Sequence, residues 1–343
     1  PSSLRTIGSN AFRECDGLIQ LPLTEGVTTL EAYAFNGCSG LKVITLPSTI
    51  TRISYGAFQD CNQVNTLQLH GGITAIESYG FAGCTGLTTV EIPDSVTVLG
   101  NSAFENCKNL THIRLSNRIT TIDGNTFSGC SALTQIHIPD SVTTIAGYSF
   151  SYCSALSSVY LGTGVSRIES YAFFQCKKIS AFQISGENAA FCVDRGVLYD
   201  KSKSLLVYMP QGFSGSYEVL PGTRKLGAYS CYDCDGLTGL TIPSSVTEVE
   251  MYAVDDCTNL KTLSFSEGLT VIGMDGFARC KSLTRVVFPS TLMQIEGLAF
   301  SGCSTLTSIT FTGMAPMIYD MAFSGVTATV YYPANQPGWT DSQ

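Results

Sequence analysis

Cysteine, histidine and the carboxylates are the side chains here that could bind a metal, cycle electrons or move a proton. Fourteen cysteines and three histidines occur among 343 residues. So many cysteines suggest disulfides or a metal centre. Their positions argue otherwise: 15, 38, 61, 84, 107, 130, 153 and 176 are each 23 apart, and 234, 257, 280 and 303 keep that interval. A residue that recurs once per turn of a repeating chain stacks on its own copies, about one strand spacing of ~4.8 Å away. Each thiol in such a column has two equivalent neighbours, so no disulfide pairing is singled out, and zinc needs ligands that converge on one point. Cys38, Cys61, Cys84, Cys107, Cys130 and Cys153 are therefore expected as buried free thiols that pack as small hydrophobes. Cys231 and Cys234 have the C-x-x-C spacing of a redox pair, but each fills an ordinary slot of the repeat. His112 and His137 fall on neighbouring strands with no clear third ligand beyond Glu91, so no metal is expected. Asp233-Cys-Asp235-Gly236 lacks the distal glutamate of a calcium loop. With no Gly-rich phosphate loop, H-E-x-x-H or G-x-S-x-G element, no catalytic residue and no cofactor is assigned.

The element that positions these residues is the repeat itself. Phenylalanine stands three residues before most of the cysteines, and Phe58, Phe81, Phe104 and Phe127 form an unbroken run. A fixed period of this size identifies a solenoid. Each unit begins L-x-x-[V/I/L]-x-[I/L], as in Leu133-Thr-Gln-Ile136-His-Ile138, with the period-two alternation of a half-buried strand. A proline often follows and ends the strand, because it cannot donate to a ladder. Next comes [V/I]-T-x-[I/L], as in Val142-Thr-Thr-Ile145, a second short extended segment on the opposite wall. An A-F-x-x-C box closes the coil, and its spacing fits one turn of 3₁₀ or α-helix that drops a ring into the core. Stacked rings would then form an aromatic spine. The expected fold is a right-handed, mostly β repeat of the α/β type, a solenoid of about thirteen 23-residue coils over residues 1–332.

Two boxes are weakened: Cys231 and Val254 stand where phenylalanine is usual, so the core there should be thinner. Between Cys176 and Cys234 the rhythm breaks. Two apolar runs, Phe191–Tyr199 and Leu205–Met209, flank a polar turn at Asp200–Ser204 and read as a hairpin, inserted near residues 185–216. Tyr331-Tyr332-Pro333 and Trp339 mark a change of character, so 333–343 is expected to cap the last coil or to begin a linker. Because Pro1-Ser2-Ser3-Leu4 matches Pro47-Ser48-Thr49-Ile50, the chain is expected to be part of a longer protein.

The hydrophobic fraction is 44%, charged residues are 13%, and the net charge is −8. Without a basic stripe to neutralise phosphates, a nucleic-acid partner is not expected, and no apolar run is long enough to span a membrane. A surface solvated by neutral polar groups suits contact with proteins or glycans. In the first strand, positions three and five point away from the core when four and six point in. Position three runs Gln20, Val43, Thr66, Thr89, His112, Gln135, Ser158, Ala181; position five runs Pro22, Thr45, Gln68, Glu91, Arg114, His137, Tyr160, Gln183. Glu91, His112, Arg114, Gln135, His137 and Tyr160 are richest in groups that make directed contacts, and Tyr and Arg are over-represented at binding hot spots. This patch is the candidate binding site, on what a solenoid usually presents as its concave sheet.

The boxes resemble the BspA-like class of leucine-rich repeats, through L-x-x-[VI]-x-[IL]-P-x-x-[VI]-T-x-I-x-x-x-A-F-x-x-C over nearly the whole chain. The hairpin segment Gly196–Asp200 and the tail Ala328–Pro333 are also similar to gut-bacterial members. The resemblance implies secretion, display on a bacterial cell surface, and non-enzymatic adhesion to a protein or glycan partner, host proteins included. It carries no binding or catalytic residue over, and a monomer is expected. The alternative is a recognition or scaffold segment attached to a catalytic domain outside these residues.

Overall fold

The computed structural model describes residues 3–21 and 23–339. Pro1 and Ser2 of the opening repeat match, Pro22 of the outward column and residues 340–343 of the expected cap lie outside them. The chain is a β-solenoid of about 14 coils, two short strands per coil, with no helix among the described residues. It divides into two compact units: Pro1–Lys178 with Gln183–Ala189, and Ile179–Phe182 with Ala190–Gln343.

In the first unit the first strands pair in parallel with copies 23 residues on, in separate short sheets: Val43–Thr45 with Thr66–Gln68, Thr89–Glu91 with His112–Arg114, and Gln135–Ile138 with Ser158–Leu161 and then Phe182–Ile184. Ile44 faces Leu67, Val90 faces Ile113 and Ile136 faces Val159. Positions four and six are buried and the residues between them face out: Gln135–Ile138 reads exposed, buried, exposed, buried. The second strands form their own parallel ladder, with Ile53 on Ile76 and Ile76 on Leu99. The threonine of [V/I]-T-x-[I/L] has a distinct task there. The hydroxyls of Thr74, Thr97 and Thr143 donate to the backbone carbonyls of Thr51, Thr74 and Thr120, one coil back.

The A-F-x-x-C box is where the expectation of a helical turn fails. Within the box of Tyr33–Cys38, the N–H groups of Asn36 and Cys38 bond three residues back, to Tyr33 and Phe35. Those of Tyr33, Phe35 and Gly37 bond instead to the carbonyls of Tyr55, Ala57 and Gln59 in the next coil, at 2.9, 2.9 and 2.7 Å. Two residues per box are left-handed: Tyr33 and Gly37, Tyr79 and Gly83, Ser102 and Asn106, Asn125 and Gly129. A left-handed residue cannot continue a right-handed helix, so the box is a chain of tight turns whose alternate donors stitch one coil to the next.

The turns hold the predicted ladder. Stacked rings run Phe12, Phe35, Phe58, Phe81, Phe104, Phe127, Phe150 and Phe173, with successive centroids 5.2–5.9 Å apart and planes within 19°. All fourteen cysteines are free thiols. The buried ones are more than fillers: the thiols of Cys61, Cys84, Cys107, Cys130 and Cys153 donate to the carbonyls of Phe35, Phe58, Phe81, Phe104 and Phe127, at 3.1–3.3 Å. Each is thus a weak coil-to-coil donor in a place too small and too dry for a charged one. Burial pushes the Cys130 thiol up to about 12, and Cys15, in the first coil, is exposed.

The second unit carries the insertion. Val197–Asp200 and Leu205–Tyr208 form the expected antiparallel hairpin. The upstream run is itself folded in two, because Arg195 and Gly196 are both left-handed and reverse the chain between Phe191–Asp194 and Val197–Asp200. Two left-handed residues in a two-residue loop make the turn whose twist matches the flanking strands. The result is a three-stranded meander whose last strand rejoins the parallel ladder at Lys225–Leu226. Tyr199 and Tyr217 pin it from beneath, their buried hydroxyls 2.9 Å apart. The Arg195 guanidinium lies 4.4 Å from the centre of the Tyr217 ring.

Candidate functional site

The site is built by register. The strands His112–Arg114, Gln135–Ile138 and Ser158–Leu161 belong to successive coils of the first unit. Pairing sets Thr89 beside His112, Glu91 beside Arg114, Gln135 beside Ser158 and His137 beside Tyr160. Two columns of outward side chains result, each row one strand spacing from the next. Glu91, His112, Arg114, Gln135 and His137 are exposed and Tyr160 is half-buried.

Four of the six sequence candidates share one hollow. His112, Gln135, His137 and Tyr160 line a depression of about 320 Å³, together with Ser158 and Gln183, over a floor that includes Ile113 and Ile136. The rings of His137 and Tyr160 stack with centroids 4.6 Å apart and planes 7° from parallel. Glu91 and Arg114 stand on the same face but outside the hollow. The Arg114 guanidinium is held 3.1 Å from the carboxylate of Asp94, which also accepts the backbone N–H of Asn117 at 3.0 Å. That N–H and the guanidinium together hold the Asp94 carboxyl below its usual range. Ser158 and Gln183 complete the lining, and their places in the same outward columns are the sequence signal that finds them. Asp94 lies in a turn and carried no such signal.

The other groups that could have done chemistry are tied into the fold. The buried thiols of Cys231 and Cys234 sit in successive repeat slots. The Asp233 carboxylate takes a 3.2 Å hydrogen bond from the Gln211 amide, and that of Asp235 one of 2.7 Å from the Thr258 hydroxyl. Among the described residues no cluster of three or more His, Cys, Asp or Glu could hold a metal, and no helix is long and apolar enough to cross a membrane. A second hollow, about 540 Å³ and apolar, lies in the second unit between Phe311, Met317, Phe323 and Trp339. Trp339 partly fills the region: its indole N–H donates to the Gly313 carbonyl at 3.0 Å, and its ring stacks on Tyr332.

Short parallel strands repeating at 23 residues, an interior ladder of aliphatic, aromatic and thiol groups, and a polar outward strand face define a leucine-rich-repeat protein. The chain belongs to the BspA-type leucine-rich repeat family: the family's repeat region matches residues 1–111, 74–192 and 221–333. Among solved structures it is similar to a leucine-rich repeat protein from Bacteroides ovatus, at 21% identity over 96% of this chain and 87% of that one, with a TM-score of 0.66. It is similar also to a leucine-rich cell surface protein from Faecalibacterium prausnitzii, at 22% identity over 94% and 88% and a TM-score of 0.64. A third is the pneumococcal vaccine antigen PcpA, at 18% identity over 98% and 76% and a TM-score of 0.59. These likenesses are of fold. No curated protein sequence is similar enough to count as a relative.

Proposed function

We propose that this is a non-enzymatic binding module of a bacterial cell surface, which recognises a protein or glycan partner through the outward strand face of its first unit. The observation that carries this reading is the hollow of about 320 Å³, where two adjacent columns bring a stacked His137–Tyr160 pair and four further polar side chains to one place. A solvated strand face needs no such convergence, whereas binding sites combine an aromatic body with a few placed polar groups. The setting supports it too. Gln135–Ile138 and Ser158–Leu161 are paired through all four residues, so that part of the face offers side chains on a rigid frame. Surface display rests on family membership and on the Faecalibacterium protein's description as a cell surface protein.

The test is the triple variant Arg114→Ala, His137→Ala, Tyr160→Ala against immobilised matrix proteins, mucins and glycans. The three side chains are exposed or half-buried on the outer face, so its melting temperature should stay within a few degrees of the parent. Loss of roughly tenfold or more in affinity for whichever partner the parent binds is expected. Unchanged affinity would remove this face from consideration.

A further inference from the structure

We propose that the hollow takes an uncharged saccharide, an inference that rests on the reading that this face binds. Its polar lining consists of His112, Gln135, His137, Ser158, Tyr160 and Gln183, with no carboxylate, ammonium or guanidinium among them. The nearest cation on the face, Arg114, is engaged by Asp94. A cationic ligand would find no carboxylate to pair with, and an anionic one no permanently charged partner, and a buried charge without a partner is costly. The lining groups also share a hydrogen-bonding character. Carboxamide, hydroxyl and imidazole side chains each present both a donor and an acceptor or can switch between them. Sugar hydroxyls are likewise donor and acceptor at once, so a ring of such groups can satisfy them whichever way they turn.

The remaining features fit a pyranose ring. Stacking leaves one face of Tyr160 and one of His137 uncovered by the other ring, and either offers a flat apolar surface for the C–H face of a sugar. The floor is apolar where Ile113 and Ile136 come through. A volume of about 320 Å³ lies at the small end of small-molecule sites, ~300–1,000 Å³, which suits a short saccharide unit. A peptide is fitted less well. Peptide capture on a sheet commonly adds a strand to a free edge, and Ser158–Leu161, the strand that carries Tyr160, has a paired strand on each side.

The experiment titrates the whole chain with neutral di- and trisaccharides, with sialylated and sulfated oligosaccharides as charged counterparts, and with immobilised matrix proteins. Parent, Tyr160→Ala, Tyr160→Phe and Gln183→Ala proteins are compared by calorimetry, with thermal melts as the folding control. At least one neutral saccharide should bind the parent. Tyr160→Ala and Gln183→Ala should each weaken it about tenfold, and Tyr160→Phe, which keeps the ring, should weaken it less. Preference for the charged sugars, or no saccharide binding, overturns the inference. If a matrix protein then binds and is lost in the triple variant, the saccharide is wrong and the face is right. If a neutral saccharide binds but none of the hollow variants changes its affinity, the site and the face fall together.

Discussion

The two units of the molecule keep one backbone scheme with different interiors. In the first, every box from Phe12 to Phe173 contributes a ring to one unbroken stack. In the second, Cys231 and Val254 take ring positions, and the box stack resumes only at Phe277, Phe300 and Phe323. Yet Cys231 and Val254 are both fully buried, and the turn bonds persist: the Cys231 N–H reaches the Ala253 carbonyl at 2.7 Å and that of Val254 reaches Gly276 at 2.8 Å. Ring volume reappears on the strand side, where Phe265, Phe288 and Phe311 form a second column that meets Phe277 and Phe300 edge-on. The expected thinning at the weakened boxes is thus matched by added aromatic volume elsewhere in that unit. What the coil requires is its pair of left-handed residues and its coil-to-coil bonds; which column supplies the rings is free to change.

That contrast can be broken in order of expected effect. Phe127→Ala removes a fully buried ring stacked on both sides, at 5.9 and 5.3 Å. It should cost ~3–5 kcal/mol in denaturant unfolding. Val254→Ala deletes two methyl groups from a site outside the stack and should cost roughly 2 kcal/mol or less. Equal losses would mean that the first unit's stack has no special weight.

A smaller effect distinguishes the second unit by its charge. Asp255 occupies the position after the missing ring, wholly buried, with one carboxylate oxygen on the Arg279 guanidinium and the other without a partner. Burial raises its carboxyl to about 7, against the opposing pull of Arg279. Unfolded, it titrates near ~3.9. Between about pH 4 and pH 7 the folded chain therefore holds a proton that the unfolded chain releases, and stability from this site falls as pH rises through that window. Asp255→Asn abolishes the titration. The stability of Asp255→Asn relative to the parent should then climb from pH 4 to pH 8, measured by melts at each pH. A flat difference would show that the site does not titrate in this range.

Much of this was legible in the residues. A period of 23 placed the thiol and phenylalanine columns, the strand alternation placed the outward columns, and the polar run Asp200–Ser204 marked the hairpin. The turn character of the box was not legible, because Ala-Phe-x-x-Cys suits one helical turn and a pair of tight turns equally well. The signal lay one residue before the cysteine, where Gly37, Gly83, Asn106, Gly129 and Gly302 are types that tolerate positive φ. Its partner position hid the pattern, since Tyr33, Tyr79, Tyr148, Tyr171, Tyr229 and Tyr252 are left-handed there despite their bulk. At the candidate site the columns were readable, but side-chain reach was not. Nothing in the spacing says that Arg114 turns to Asp94, or that His137 lies flat on Tyr160.

The proposed function divides the labour of the coil: residues facing in hold the fold, and those facing out on the first unit's strands are proposed to bind. Hydrogen–deuterium exchange of the whole chain, with and without a saturating partner from the binding screen, tests it most directly. Added protection should concentrate in His112–Arg114, Gln135–Ile138 and Ser158–Leu161. Protection confined to the turns of the boxes, or to the apolar hollow beside Trp339, would contradict it.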